Sequence, residues 1–164
     1  IGSFVQVNGT NTVANALMLA YGAGGRGAYE LRGGSLSAVS QDVGYGGTGT
    51  FTQTGGTNAV TGTLFVGGFV PGGQGTYSFS GGSLTAQFEN IGYQGTGTFA
   101  QTGGDNVVNG NLQLGVNVGA SGTYSGTLSV WNCGSAEPAT RSFTVTVACS
   151  RWTVYLPIVL RNHP

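Results

Sequence analysis

The feature that most constrains this chain is an internal repeat with a period of about 48 residues. The segment Val43–Gly56 (VGYGGTGTFTQTGG) returns at Ile91–Gly104 as IGYQGTGTFAQTGG. A second pair, Gly27–Ala38 (GAYELRGGSLSA) and Gly75–Ala86 (GTYSFSGGSLTA), has the same spacing. Because self-similarity at a period of roughly 20–50 residues marks repeat architectures, we expect a stack of similar units.

Each repeat unit divides into two halves. Aromatic residues that follow a glycine-rich turn recur at nearly even spacing, at Phe4, Tyr29, Phe51, Tyr77, Phe99 and Tyr124. Aliphatic residues that open each half recur in the same way, at Leu19, Val43, Val66, Ile91 and Leu114. The basic unit is therefore about 24 residues long, and the aromatic series predicts about six units.

Within a unit, short runs of alternating apolar residues lie between glycine clusters, which indicates strands of about three to five residues. Glycine at the corners permits positive φ and close backbone approach. No segment has a helical period. We predict an all-β fold, a β-solenoid (β-helix) of about six coils of ~24 residues, with three short strands and three corners per coil. A β-sandwich is the alternative, but it does not explain the spacing.

The repeat decays after Tyr124, which predicts two parts, β-solenoid repeats at 1–130 and a C-terminal strand tail at 131–164. In the tail, Ser142–Ala148 alternates as a strand, and a second strand would place five apolar residues on one face: Trp152, Val154, Leu156, Ile158 and Leu160. Cys133 and Cys149 flank the first of these strands. We expect them to form a disulfide that staples the tail, the alternative being two buried free thiols.

Composition excludes several classes of function. Five arginines balance five carboxylates, lysine is absent, and charged residues make up 6% of the chain against about 25% in ordinary soluble domains. Such a chain lacks the basic surface that binds nucleic acid or anionic lipid. No segment is apolar for the ~20 residues of a membrane span. Weak self-repulsion between copies favours self-association.

Two sequence patterns resemble chemical motifs, and each is better explained by structure. Gly22–Gly27 matches the G-x-G-x-x-G nucleotide pattern, but no helix follows it. The calcium-type repeat G-G-x-G-x-D fits Gly46–Thr50 until Phe51 replaces the aspartate, and Asp105 alone makes a poor site. Carboxylates are scattered over the repeats, and His163 is the chain's one histidine. We expect no enzymatic activity, no metal site and no cofactor.

The GTGTFTQTGGTN and GTYSFSGGSLTA stretches resemble repeats of autotransporter-type passengers and related secreted bacterial surface proteins, over roughly residues 1–130. The resemblance implies an extracellular β-solenoid that serves as a stalk, adhesin or fibre, without catalytic residues. The start at Ile1 instead of methionine and the even cysteine pair also suggest export. Asn8-Gly9-Thr10 is the single N-x-[ST] sequon, so Asn8 is a candidate glycosylation site.

The two ends suggest how the chain could function. Phe4 is preceded by only three residues, so the first coil lacks its leading strand, and the tail offers a spare apolar strand. We expect a subunit of an extracellular homopolymeric filament that polymerises end to end by strand addition. The subunit interface would include Ile1, Phe4 and the apolar face of the second tail strand. Residues 1–130 carry a net charge of −2 and the tail +2, so opposite ends would attract.

Two other functions stay open. In a monomeric adhesin stalk, the tail folds back as the chain's own cap, and Tyr45, Tyr93 and the threonine ladder contact a ligand. In an ice-binding solenoid, the Thr48/Thr50 and Thr96/Thr98 pairs would order water on a flat face. The equivalent positions Arg26/Ala28, Gln74/Thr76 and Ser121/Thr123 break that ladder.

Overall fold

The computed structural model describes residues 1–130 and 139–148, and all regular structure in them is β-strand. The strands are β1 (Gly2–Gln6), β2 (Thr10–Leu19), β3 (Arg26–Leu31), β4 (Ser35–Val43), β5 (Thr48–Gln53), β6 (Thr57–Val66), β7 (Gln74–Phe79), β8 (Ser83–Ile91), β9 (Thr96–Gln101), β10 (Asp105–Val108), β11 (Leu112–Leu114), β12 (Ser121–Val130) and β13 (Ala139–Ala148).

Two sheets run along the stack. The first has the order β1-β3-β5-β7-β9-β12-β13, and the second has the order β10-β8-β6-β4-β2, with β11 also paired to β8. Strands β1 to β10 alternate between the sheets, β11 stays in the second sheet, and β12 and β13 are both in the first. Every pairing is parallel except β12 with β13. This winding is a β-solenoid. The predicted fold class is confirmed, as five complete coils followed by β12, the first strand of a sixth.

The coils are numbered by their strands. Coil 1 is β1–β2, coil 2 is β3–β4, coil 3 is β5–β6, coil 4 is β7–β8, and coil 5 is β9–β11, while β12 opens coil 6. The predicted period is confirmed as pairing register, because Phe4, Tyr29, Phe51, Tyr77, Phe99 and Tyr124 are Cα partners in succession. Each coil therefore superposes its aromatic residue on that of the next.

The prediction of three short strands per coil is wrong for coils 1 to 4 and holds only for coil 5, with β9, β10 and β11. Each of the first four coils has one strand of five or six residues and one of nine or ten, so coil 1 has both of its strands and the expectation that it lacks a leading strand is wrong. The long strand changes register at its middle, for example between Val60 and Thr63. A β-bulge bends a strand without ending its ladder. One of the three predicted corners is therefore a bulge inside a continuous strand.

The core lies between the two sheets. The aromatic rings of the first sheet stack along the axis at centroid distances of 4.7 to 5.1 Å. Against them pack buried aliphatic residues of the second sheet, including Leu64, Leu84 and Ile91. A spacing near ~4.8 Å is the natural distance between paired strands, so ring stacking and backbone pairing reinforce each other.

Glycine is required where the first sheet begins. Gly75 is the second residue of β7 and pairs in register with Gly49 and Gly97. A Cβ on Gly75 would lie 2.2 Å from the Gly67 nitrogen and 2.2 Å from the Val43 carbonyl oxygen. No Cβ atom fits at such distances from backbone atoms. The chain can therefore pass from the second sheet to the first here only with a glycine.

Candidate assembly interface

A buried polar network ties neighbouring coils together inside the core. The Tyr77 hydroxyl donates to Gln53 Oε1 at 2.6 Å, and Asn58 Nδ2 donates to the Tyr77 oxygen at 3.1 Å. Gln53 Nε2 in turn donates to the Ser83 carbonyl at 2.9 Å. Burial raises the pKa of the Tyr77 phenol, so the network is neutral. We call each such Gln-Tyr-Asn set a clamp.

The clamp recurs once in every pair of coils. The other two sets are Gln6-Tyr29-Asn11 and Gln101-Tyr124-Asn106, with Tyr–Gln distances of 2.5 and 3.1 Å. Coils 1, 3 and 5 contribute the glutamine and asparagine, and coils 2, 4 and 6 contribute the tyrosine. At the positions of glutamine and asparagine, the tyrosine-bearing coils 2 and 4 hold Leu31 with Leu36, and Phe79 with Leu84. The double coil is thus a structural unit.

Sequence reasoning missed the clamp, although it has a signal. The glutamine and asparagine lie in the pattern Q-x-x-G-x-N at 6–11, 53–58 and 101–106, and in each case the aromatic residue of the next coil is a tyrosine. Glutamine and asparagine beside glycine suggest an exposed turn. The fold instead buries Gln53 and Asn58 completely.

The N-terminal end exposes the edge coil. β1 and β2 are each paired with one strand only among the described residues. Phe4 packs against Tyr29 with the two rings tilted by 36° and is 53% exposed, and Ile1 is fully exposed. An open groove of about 520 Å³ lies between the two strands at this end, lined in part by Phe4, Leu17 and Tyr21. Both predicted N-terminal interface residues are therefore on an apolar, accessible edge.

The C-terminal end is covered on one sheet. β13 pairs antiparallel with β12 along its whole length, from Ser121 opposite Ala148 to Val130 opposite Ala139. The alternation of 142–148 predicted this strand, but not its partner. In the second sheet, β10 and β11 pair only with β8 among the described residues, and Val107 and Leu112 are exposed. A further coil could stack on the second sheet, but on the first sheet it would meet β13.

The outer face of the first sheet is a hydroxyl-rich plane. Thr50, Thr76, Thr98 and Thr123 follow one another in register along four coils. The neighbouring column is mixed, as expected from the sequence, with Arg26, Thr48, Gln74, Thr96 and Ser121. Regular hydroxyls thus cover part of this face, and one charged residue interrupts the mixed column.

A second aromatic row lies outside the core, at the turns after the second sheet. Tyr21, Tyr45, Phe69 and Tyr93 stack at centroid distances of 5.0 to 5.7 Å. The two tyrosines expected as ligand contacts, Tyr45 and Tyr93, are half-buried in this row. Because the ring faces of Tyr45 are covered by its neighbours, it presents only an edge to a ligand.

The remaining predicted site residues have separate locations. Asn8 lies in the exposed turn between β1 and β2, where its Oδ1 accepts a hydrogen bond from the Gly9 nitrogen at 2.8 Å. Cys133 and Cys149 lie outside the described residues, as do Trp152, Val154, Leu156, Ile158 and Leu160. The disulfide, the glycan and the C-terminal contacts stay predictions.

The charge difference between the ends is weaker than the sequence suggests. Of the four carboxylates in 1–130, Asp42 and Glu89 are buried, and burial raises their pKa values to about 6 and about 7. Glu30 pairs with Arg32 at 2.7 Å on the surface. The net charge of −2 counted along the sequence is therefore not displayed on the solenoid surface.

The residues of the two motif-like patterns occupy ordinary positions. Gly22–Gly25 form a turn that leads into β3, not into a helix, and Asp105 is an exposed residue at the start of β10. No group of three or more potential metal ligands occurs within the described residues. In the same part of the chain, no helix is long and apolar enough to span a membrane.

Within the described residues, these features define a repeat protein of the β-solenoid class with one open and one partly covered end. Comparison with protein-family models, curated proteins and solved structures finds no significant match to this chain. Its own geometry and sequence therefore carry the functional proposal.

Proposed function

We propose that this chain is a structural subunit of an extracellular homopolymeric filament, assembled by end-to-end stacking of solenoids. The observation that carries the proposal is the edge coil. β1 and β2 present the same backbone ladder and the same aromatic position that every internal coil offers to its neighbour. A second copy that adds strands there would continue the backbone hydrogen bonds and cover the apolar groove.

The position of β13 determines the form of the junction. Since β13 occupies the edge of β12, β1 of the next copy would pair with β13 in the first sheet. Strands β1 and β12 run parallel within a chain, so the β13–β1 junction would be antiparallel. In the second sheet, β2 of the next copy would then be separated from β10 and β11 by two strand positions, and the predicted tail strand at 152–160 would fill part of this space. This head-to-tail contact does not close on itself and therefore yields a fibre.

Composition supports the extracellular and bacterial-surface parts of the proposal. The chain has no lysine, 6% charged residues and 33 glycines, and its repeats resemble those of secreted bacterial surface proteins. A surface with so few charges offers little repulsion between copies. The role is structural and needs no catalytic group, metal or cofactor.

Electron microscopy of the full chain at high concentration tests the proposal. Each subunit contributes seven strands to the first sheet, so at ~4.8 Å per strand the axial repeat should be about 34 Å. Filaments with that repeat and a reflection at ~4.8 Å are the expected result. Monodisperse monomers without filaments would refute the filament.

The competing function is a monomeric adhesin stalk. Pairing of β13 with its own β12 is what a self-capping tail requires, and the hydroxyl face from Thr50 to Thr123 offers a ligand surface. Deleting 151–164 separates the two. If this segment donates a strand to a neighbour, the truncated chain stays soluble as short species and does not polymerise. If it caps its own solenoid, the truncated chain loses stability and aggregates.

The same hydroxyl face keeps the ice-binding alternative testable. Thermal hysteresis in the soluble chain would favour it over both other functions. We expect none, because Arg26 and Gln74 interrupt the column beside the threonines.

A further inference from the structure

Glu89 is a buried acid with the uncharged Asn106 amide beside it and no cation near it among the described residues. The residue lies in β8 and is 0% exposed. Neither of its carboxyl oxygens has a hydrogen-bond partner among the described residues, and the same holds for Oδ1 of Asn106 in the next coil. All three atoms are acceptors when the carboxyl is ionised, so only the Asn106 Nδ2 amide can donate to the carboxylate, and Oδ1 of Asn106 has no donor on Glu89.

The preceding repeat shows how the side chains at these two positions can satisfy each other's hydrogen bonds. Gln41 and Asn58 are the counterparts of Glu89 and Asn106 one repeat earlier in the chain. Gln41 Nε2 donates to Asn58 Oδ1 at 2.6 Å, and Asn58 Nδ2 donates to Gln41 Oε1 at 2.9 Å. A protonated carboxyl has one donor and one acceptor, as the glutamine amide does at this site. Protonated Glu89 can therefore form the same reciprocal pair with Asn106.

The elements packed around Glu89 carry few titratable or charged groups. Tyr77 on β7 and Tyr124 on β12 interact electrostatically with Glu89, which contributes to the raised pKa of each phenol, and both stay neutral. Strands β6, β9 and β11 carry no ionisable side chain, and β10 carries only exposed Asp105. Arg26 and Arg32 belong to coil 2. No described cation therefore compensates an ionised Glu89.

We propose that Glu89 and Asn106 form a proton-dependent contact between coils 4 and 5, with two reciprocal hydrogen bonds when the carboxyl is protonated and at most one, beside an uncompensated charge, when it ionises. Ionisation leaves an uncompensated charge in the core, which strongly destabilises the coils on either side of it. Because each coil contacts only its neighbours, the loosening falls on β10, β11 and β12. This contact does not depend on filament assembly.

The sign of the pH dependence follows from the direction of the shift. Burial raises the pKa of Glu89 to about 7 from its usual 4.5, and the nearby Asn106 amide lowers it by a smaller amount. The stabilisation is complete below pH 4.5, where the unfolded chain is also protonated. It is lost as the pH rises from about 4.5 to about 7, and above that range this group no longer changes the free energy of unfolding.

Asp42 must be separated from Glu89 because its effect has the same sign. Burial raises the pKa of Asp42 to about 6. The repeat provides natural replacements for both acids, since Asn90 is the counterpart of Asp42 and Gln41 that of Glu89. Glu89→Gln and Asp42→Asn are therefore matched variants that remove one acid each while retaining a side chain the fold already accepts.

Thermal unfolding of these variants between about pH 4.5 and pH 8.5 tests the proposal. We expect the Tm of the unmodified chain to fall by roughly 5–10 °C across this range. Glu89→Gln should abolish most of that fall, Asp42→Asn should leave most of it, and Gln41→Glu should add a second fall. If Glu89→Gln shows the same pH dependence as the unmodified chain, the proposal is wrong.

Carbon NMR of the Glu89 carboxyl gives an independent measurement on the folded chain. A titration midpoint near 7, with faster amide exchange in β10 and β11 at high pH than in Glu89→Gln at the same pH, is the expected result. A midpoint near 4.5 would overturn the proposal even if the variants failed to fold.

Discussion

At the scale of single residues, the clamps explain why a core of stacked rings has one register. The aromatic and aliphatic ladders alone would allow one coil to occupy the position of the next coil in the stack, because Phe51, Tyr77 and Phe99 occupy equivalent positions. The Tyr77 hydroxyl finds Gln53 and Asn58 only when a tyrosine coil follows a phenylalanine coil. A misplaced coil would leave these buried groups unpaired.

Removing one hydroxyl tests the clamp. Tyr77→Phe keeps the stacked ring and deprives Gln53 and Asn58 of their shared partner, so we expect a loss of about 1–3 kcal/mol in the free energy of unfolding. Urea denaturation measures it. The control is Tyr45→Phe in the outer aromatic row, which should change stability by less than about 0.5 kcal/mol. Equal effects of the two substitutions would show that the buried hydroxyl adds nothing.

At the scale of strands, the two kinds of turn in each coil differ in how much their length varies. The turn from the first sheet to the second has three residues in coils 1 to 5, while the return turn varies from four to seven. The uneven spacing of successive aromatic residues arises largely in that return turn, with the bulge adding one residue in coils 1 and 3. The coil cross-section is thus conserved although the repeat length is not.

The return to the first sheet depends on glycine. Gly75→Ala would place a methyl group 2.2 Å from two backbone atoms, so we expect a loss of about 3 kcal/mol or failure to fold. Gly22→Ala is the control, because nothing lies within 4 Å of its added Cβ. Tm and soluble yield are the measurements. A folded Gly75→Ala chain with unchanged Tm would contradict the close approach.

The period and the aromatic ladder could be predicted from the sequence, since each coil repeats the same short-range signals. The number of strands could not, because Thr61-Gly62 suggests a corner where the chain forms a bulge between Val60 and Thr63. The burial of Gln53 and Asn58 could not be predicted either, since their partner Tyr77 lies in the next coil. Alternation in 142–148 indicates a strand but carries no information on its partner.

At the scale of the whole molecule, the two ends differ in what they offer a second copy. The N-terminal edge is apolar and open, whereas β13 covers one of the two sheets at the other end. Surface charge contributes little to attraction between the two ends, since Asp42 and Glu89 are buried. In a filament, affinity at the junction would therefore come from backbone pairing and apolar contact, and should persist at high salt.

A charge at the edge coil tests that junction. Phe4→Lys places an ammonium group where the next copy would pack, so we expect filaments to disappear, and substoichiometric amounts of the variant to shorten filaments of the unmodified chain by blocking one end. Val39→Lys is the control, because Val39 is 52% exposed on the side of the solenoid against 53% for Phe4. Filament length by electron microscopy and sedimentation is the measurement, and Tm shows that both variants fold. If Phe4→Lys polymerises as well as Val39→Lys, the N-terminal edge is not the junction.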